Sequence, residues 1–294
     1  MQILDVHFPQ GAEVLRGNLF LPSGSPVAVI TATGPLTSVK EQVVSNYAHL
    51  LCDMGYAVLA FDHCYFGAST GLPRQFESPP QKIVDIRASV DFLNEHESTR
   101  GLTALGLGIC AGAGYMAQAV ALDQRLRGFA GVAGYYADAA LTRKNMGPRF
   151  DEAVATARAA RVEYERSGEA RFIPAVGLDG EVAMPLRDAY EYYSSSRGAV
   201  PTYINAFAVQ SREQTLNFDA QSAASLINAP TLLVHSPHAL APPLAEKFYA
   251  SLRAPKEIIW NDAPKQTAFY DDPQVLSNVC AQVQRFFVRV EQLQ

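Results

Sequence analysis

The sequence predicts an α/β protein: a mostly parallel central sheet with helices on both faces and a helical insertion between two of its strands. Three observations predict it. Short, continuous apolar runs alternate along the chain with stretches whose apolar residues recur every three or four positions. That alternation builds parallel sheets covered on both sides. A glycine-flanked Gly108-Ile109-Cys110-Ala111-Gly112 stretch lies between one such run and the small-residue start of a helix. With 294 residues, 48% of them hydrophobic, the chain can bury a large core as one domain with an insertion.

The elements follow in order. Residues 3–8 and 13–21 read as an antiparallel pair turning around Pro9-Gln10-Gly11. The β-branched run at 26–31 suits a strand covered on both faces, and a loop from 33 to 39 leads to a helix near 41–55. Residues 56–62 form the next strand. Ile83, Ile86, Val90 and Leu93, following Pro79-Pro80, place a helix over 82–96. The apolar run 102–107 precedes the glycine-rich stretch, and 129–134 is a further strand. Residues 138–222 then break the alternation, with a helical stretch at 149–167 and several aromatics; an insertion there reads as a lid on a body made of 1–137 and 223–294. Strands at 230–235 and 257–260, a helix near 242–252 and a final helix with Leu276, Val279, Val283, Phe287 and Val290 on one face complete the body.

Composition excludes several classes of function. The net charge is −5 and the charges are dispersed, which does not suit nucleic acid or an anionic membrane surface. No apolar run reaches membrane-spanning length, and the first ten residues lack a signal pattern. Four cysteines without metal-like spacing imply reduced thiols and a soluble cytoplasmic protein. No metal or organic cofactor is expected, because there is neither a phosphate-binding glycine loop with its acidic partner nor a His/carboxylate cluster. The oligomeric state is left open, a homodimer included.

Strand, sharp turn, helix is the setting in which a Gly-x-Ser-x-Gly elbow lifts a nucleophile above the sheet edge, and here the central residue is Cys110. Small neighbours permit the strained turn, and the helix N-terminus favours a thiolate. A buried cysteine in a glycine-rich turn is the other reading.

Taken with Val39-Lys40-Glu41-Gln42, Phe61-Asp62, the run from Phe66 to Gly71, Pro73-Arg74, Gly106 to Gly112, Lys256-Glu257 and Phe269-Tyr270-Asp271, the chain resembles the α/β-hydrolase fold, and within it the dienelactone-hydrolase-like and polyketide-transferase-like branch. The resemblance implies that Cys110 is the nucleophile and that the Ala111 N–H is one oxyanion donor. A second would come from the loop Gly34, Pro35 and Leu36. It also puts Glu41 near a position from which a glutamate contacts the cysteine; a first-turn helix glutamate is the equal alternative. Lys40 reads as solvated or salt-bridged.

The pattern then departs from the family. The loop expected to supply the acid, 236–240, has no carboxylate, and where relatives carry the histidine this chain has Gln266, which can only exchange hydrogen bonds. Three substitutes offer themselves: His238 swinging in from the acid loop, His63 at the end of the fourth strand, and Asp138 past the sixth. His235 is expected to end a buried strand. Tyr136 and His63 are further substrate-binding candidates at the same sheet edge.

Three functions are compatible with this reading. The first is an enzyme acting through Cys110 on an ester, thioester or lactone carbonyl of apolar character, by hydrolysis or acyl transfer. The second is a cyclase, dehydratase, decarboxylase or C–C lyase that uses the oxyanion site on a polyketide-like or aromatic compound. The third is a binding protein on a hydrolase scaffold.

Overall fold

The computed structural model describes residues 1–292. The chain opens with the antiparallel hairpin β1 (Gln2–Gln10) and β2 (Glu13–Leu21), which turns at Gly11 with φ +59°. There follow β3 (Val29–Thr33), α1 (Val43–Asp53), β4 (Ala57–Asp62), α2 (Pro79–Glu95), β5 (Ala104–Ile109), α3 (Ala111–Leu122) and β6 (Leu126–Val132). Between β6 and the next body strand come α4 (Ala139–Met146), α5 (Pro148–Ser167), β7 (Phe172–Ile173), α6 (Arg187–Tyr193), β8 (Phe207–Ala208) and α7 (Ser211–Thr215), with β7 and β8 forming their own small ribbon. The body resumes with β9 (Thr231–His235), α8 (Pro242–Ser251), β10 (Lys256–Trp260), α9 (Ala268–Asp271) and α10 (Pro273–Glu291).

Eight strands form one sheet in the order β1-β2-β4-β3-β5-β6-β9-β10. From β4 to β10 every pairing is parallel, while β1 and β2 are antiparallel additions at one edge. The apolar runs have a simple cause: β3, β4 and β5 are buried on both faces, so their residues have no solvent side to mark. Adjacent residues divide between two core layers. Leu232 and Val234 face Tyr47, Phe269, Val283 and Phe287 of α1, α9 and α10; Leu233 faces Met116 and Phe248 of α3 and α8. Each fully buried Phe or Leu contributes about 1.5–3 kcal/mol.

Helix ends follow the residue chemistry. Ser78 caps α2 by accepting from the Gln81 N–H at 3.2 Å, with Pro79 and Pro80 where no N–H is needed, so the helix starts three residues before the position 82 that its periodicity predicts. Asp272 caps α10 in the same way. No helix among the described residues is long and apolar enough to cross a membrane.

The 138–222 segment is tied to the body by polar contacts at its α6 end. The Asp188 carboxylate accepts from the Thr267 N–H (2.9 Å) and hydroxyl, Arg197 forms a two-bond pair with Asp271 at 2.7 Å each, and the Gln42 amide donates to the Gly198 carbonyl.

Candidate active site

β5 ends at Ile109 and α3 begins at Ala111, leaving Cys110 alone in the turn at φ +55°, ψ −123°. A side-chain-bearing residue held in that region is strained by roughly 1–3 kcal/mol, offset by the surrounding structure. The two glycines of the elbow are required sterically. A Cβ on Gly108 would lie 2.5 Å from the Ala113 Cα, and one on Gly112 would lie 2.5 Å from the carbonyl oxygens of Thr33 and Gly34. The backbone of Cys110 is fixed from both sides: its N–H donates to Val132 O and its carbonyl accepts from the Tyr135 N–H.

Cys110 is buried, 8% exposed, and lines two cavities open to solvent. The cavities, of about 290 and 320 Å³, meet at it and share Leu36, Met184, Leu186 and Leu240. The larger is lined by Pro79, Ala111, Tyr115, Tyr135, Leu216 and Phe218, with no charged side chain in its wall. The smaller adds Arg187, Asp188, Tyr193, His238, Lys265, Gln266 and Tyr270. Burial pushes the Cys110 thiol above its ordinary range, while the Tyr270 hydroxyl, the Ala111 N–H and the Gln266 amide each draw it back by favouring the thiolate.

The two amides predicted to stabilise an oxyanion can be placed. The Ala111 N–H is the first of α3 and has no partner within the helix. In the loop after β3, Pro35 has no N–H and Gly34 is packed beneath Gly112, so Leu36, which lines both cavities, is the residue able to donate there; its N–H makes no backbone hydrogen bond. The loop is held by a buried network. The Thr37 N–H, at φ +61°, donates to Glu77 Oε2 (3.0 Å), and Glu77 also accepts from the Tyr115 hydroxyl (2.8 Å) and from Lys82 Nζ at 2.7 and 2.9 Å.

Gln266 occupies the expected position but acts as a tie. Its Nε2 donates to Ala133 O (3.0 Å) and to the Tyr270 hydroxyl (3.3 Å), and its Oε1 accepts from the Leu240 N–H (2.9 Å). Tyr270, quoted from the sequence for the family resemblance but not as a site residue, joins Gln266 beside the sulfur.

Several expected site residues lie elsewhere. Glu41 does not line either cavity. Its carboxylate accepts from Lys40 Nζ (2.6 Å) and the Thr202 hydroxyl (2.8 Å), which outweigh its partial burial and hold it below the usual range. Lys40 is salt-bridged, as read, but buried, its Nζ 2.9 Å from Asp62 Oδ2. His63 is sealed in the core, its Nδ1 donating to Asp85 Oδ2 (3.1 Å) and its Nε2 accepting from the Thr33 hydroxyl (2.7 Å). Tyr136 stacks on Phe248 with ring centroids 4.2 Å apart, and its neighbour Tyr135 lines the cavity instead. Asp138 caps α4 and pairs with Lys247. His238 reaches the cavity rim but is exposed, 3.9 Å from Asp262 and without a hydrogen bond to Cys110. His235 ends β9 buried, its Nδ1 donating to Ser236 O. Among the described residues no group of His, Cys, Asp and Glu is arranged to hold a metal, and all four cysteines are free.

Comparison with known proteins decides the family. The uncharacterized protein YcjY of Escherichia coli (strain K12) is 30% identical over 230 residues, covering 75% of this chain and 74% of YcjY. The chain belongs to the YcjY family. A second relative of this YcjY-family chain, the uncharacterized protein PA2218 of Pseudomonas aeruginosa, is 28% identical over 275 residues, covering 87% of this chain and 72% of PA2218. Its crystal structure matches with a TM-score of 0.85 at 24% identity over 97% of this chain and 94% of that one. The α/β-hydrolase GrgF from Penicillium sp. sh18 matches with a TM-score of 0.76 at 21% identity over 97% and 99% of the two chains. The fold is therefore the α/β-hydrolase fold. A 104-residue stretch is 35% identical to the thiohydrolase aneE of Aspergillus aculeatus, covering 31% of this chain and 32% of that protein. No family model matches the sequence.

Proposed function

We propose that this YcjY-family protein is an acyl-handling enzyme in which Cys110 attacks the carbonyl of an apolar thioester, activated ester or lactone. One observation carries the reading: a sulfur at a helix N-terminus, where two cavities converge beside the Ala111 and Leu36 amides, neither of which donates to another backbone group among the described residues. The local likeness to a protein named a thiohydrolase agrees with it. In this reading 138–222 is a lid, α6 closing the smaller cavity through Asp188 and Thr267.

The chemistry follows from the groups present. The acyl chain lies in the uncharged cavity with its carbonyl oxygen against the two amides, which stabilise the tetrahedral oxyanion. The Cys110 Sγ–C bond forms and the bond to the leaving thiol or alcohol breaks. The proton from Cys110 passes through the Tyr270 hydroxyl to the leaving atom. The Gln266 amide holds Tyr270 in place by donating to it. A thiol needs less help than a serine hydroxyl, and this is how the reaction proceeds without an imidazole. The acyl group then leaves to water or to a second acceptor.

Intact-mass measurement after incubation with a hexanoyl thioester tests this. The protein gains one hexanoyl group, and Cys110→Ala gains none. Absence of the adduct in the native protein sinks the proposal. The burial that raises the Cys110 thiol, and the absence among the described residues of a base in contact with it, favour a second reading, in which the amides stabilise an enolate without covalent chemistry. That reading requires Cys110→Ala to retain activity on its substrate.

A further inference from the structure

The two arms that meet at Cys110 differ in charge, and that difference identifies what stands on each side of the reacting carbonyl. The wall of the larger arm has no charged side chain and suits an acyl chain. The smaller arm carries Arg187, Asp188 and Lys265. Asp188 is already committed: Lys265 Nζ lies 3.1 Å from its Oδ1, and the Thr267 N–H and hydroxyl donate to it. Lys265 is shared further with Glu191 at 3.8 Å, and His238 sits beside Asp262 at the rim. Arg187, an exposed residue of this wall, has no ion pair or hydrogen bond among the described residues, which leaves the wall one solvated cation without a protein partner. The same wall holds a second unused donor. The hydroxyl of Tyr193, a residue 3% exposed, has no hydrogen-bond partner among the described residues.

Resting on the acyl-transfer reading above, we infer that the leaving or accepting molecule is an anionic thiol or alcohol, its carboxylate, sulfonate or phosphate caught by the Arg187 guanidinium. Arginine suits such groups because its planar fork donates two parallel hydrogen bonds. An uncharged arm on one side and a cationic arm on the other then set the direction in which a thioester enters.

Three thioesters test the inference: hexanoyl 2-mercaptoethanol, hexanoyl 2-mercaptoethanesulfonate, and an adipoyl monothioester of 2-mercaptoethanol that carries its charge on the acyl side. The sulfonate ester is expected to be preferred about tenfold in kcat/KM over the neutral one, mostly through KM, the size of one charge-assisted hydrogen bond. In Arg187→Gln the ratio falls to about one, and in Arg187→Lys part of it returns. Equal use of the two hexanoyl esters by the native protein, or a preference that survives Arg187→Gln, overturns the inference while leaving the acyl-transfer reading intact. So does an Arg187-dependent preference for the adipoyl ester, which moves the anion to the acyl side. Failure of all three esters to acylate Cys110 overturns both.

Discussion

Replacing Lys82 by methionine removes the cation from a pair sealed inside the protein. Lys82 and Glu77 are 2% and 0% exposed, and Lys82 Nζ reaches both Glu77 oxygens, at 2.7 and 2.9 Å. Methionine fills a similar space between the Phe66 and Tyr115 rings, which the ammonium now faces at 4.7 and 5.3 Å. Packing is therefore largely kept and the charge of Glu77 is left bare. Orphaning one member of a buried pair costs about 3–5 kcal/mol. The Thr37 N–H and the Tyr115 hydroxyl still donate to Glu77, so the expected loss is near the lower end, about 3 kcal/mol. With an m-value of about 3 kcal/mol/M, the urea midpoint falls by about 1 M. Lys82→Met combined with Glu77→Gln should recover at least half of that loss, because no buried charge remains. A single-variant loss below about 1 kcal/mol, or a double variant no better than the single one, would refute the reasoning.

Three further outcomes are expected. Burial keeps His63 and His235 neutral, their pKa values lowered in the folded state, so folding is favoured above the unfolded histidine pKa of about 6.5 and loses stability as pH falls through it; the stability should drop by up to roughly 3 kcal/mol between pH 7.5 and 5.5, or about 1 M in urea midpoint, and flat midpoints over that range would contradict the assignment. Because burial raises the Cys110 thiol, its alkylation by iodoacetamide should rise with a pH midpoint above the ordinary thiol value of about 8.5, and Tyr270→Phe, which deletes a bond to the thiolate, should push that midpoint higher; a downward move on substitution would count against the contact. Gln266→His breaks the ties to Ala133 O and the Leu240 N–H, for a loss of about 1–3 kcal/mol, yet returns a base beside the sulfur, so hydrolysis of an acylated Cys110 should quicken on the order of 100-fold by time-resolved intact mass; an unchanged decay would show that the base is not what limits it.

The architecture was legible because strands covered on both faces write themselves as unbroken apolar runs, and because an elbow needs glycines at two fixed places. The site was legible only in part. Tyr136 and Tyr135 are neighbours in an irregular stretch, and which of the two meets the cavity depends on a backbone path that composition does not encode. Glu41 lies away from the cavities because Lys40 Nζ, itself paired with Asp62, and the Thr202 hydroxyl together hold its carboxylate, contacts that come from positions far apart in the chain. Tyr270 could have been found: it lies four residues after Gln266, one helical turn on, the spacing at which side chains meet. Glu77 and Lys82 carry no mark of burial in the sequence, since nothing local announces that α7 packs over them. Arg187 belongs to a seven-residue helix too short to leave a periodic mark.

A glutamine stapled to main chain at both ends of its amide has no freedom to pivot. An imidazole in that place would swing between nucleophile and departing atom, resetting the enzyme at each cycle. Here that part is fixed in the scaffold, so on the acyl-transfer proposal a modified cysteine would wait for the arrival of a second reactant instead of being cleared at once. Under that proposal the protein would store an activated group between two encounters, its pace set by whichever acceptor fits the mouth.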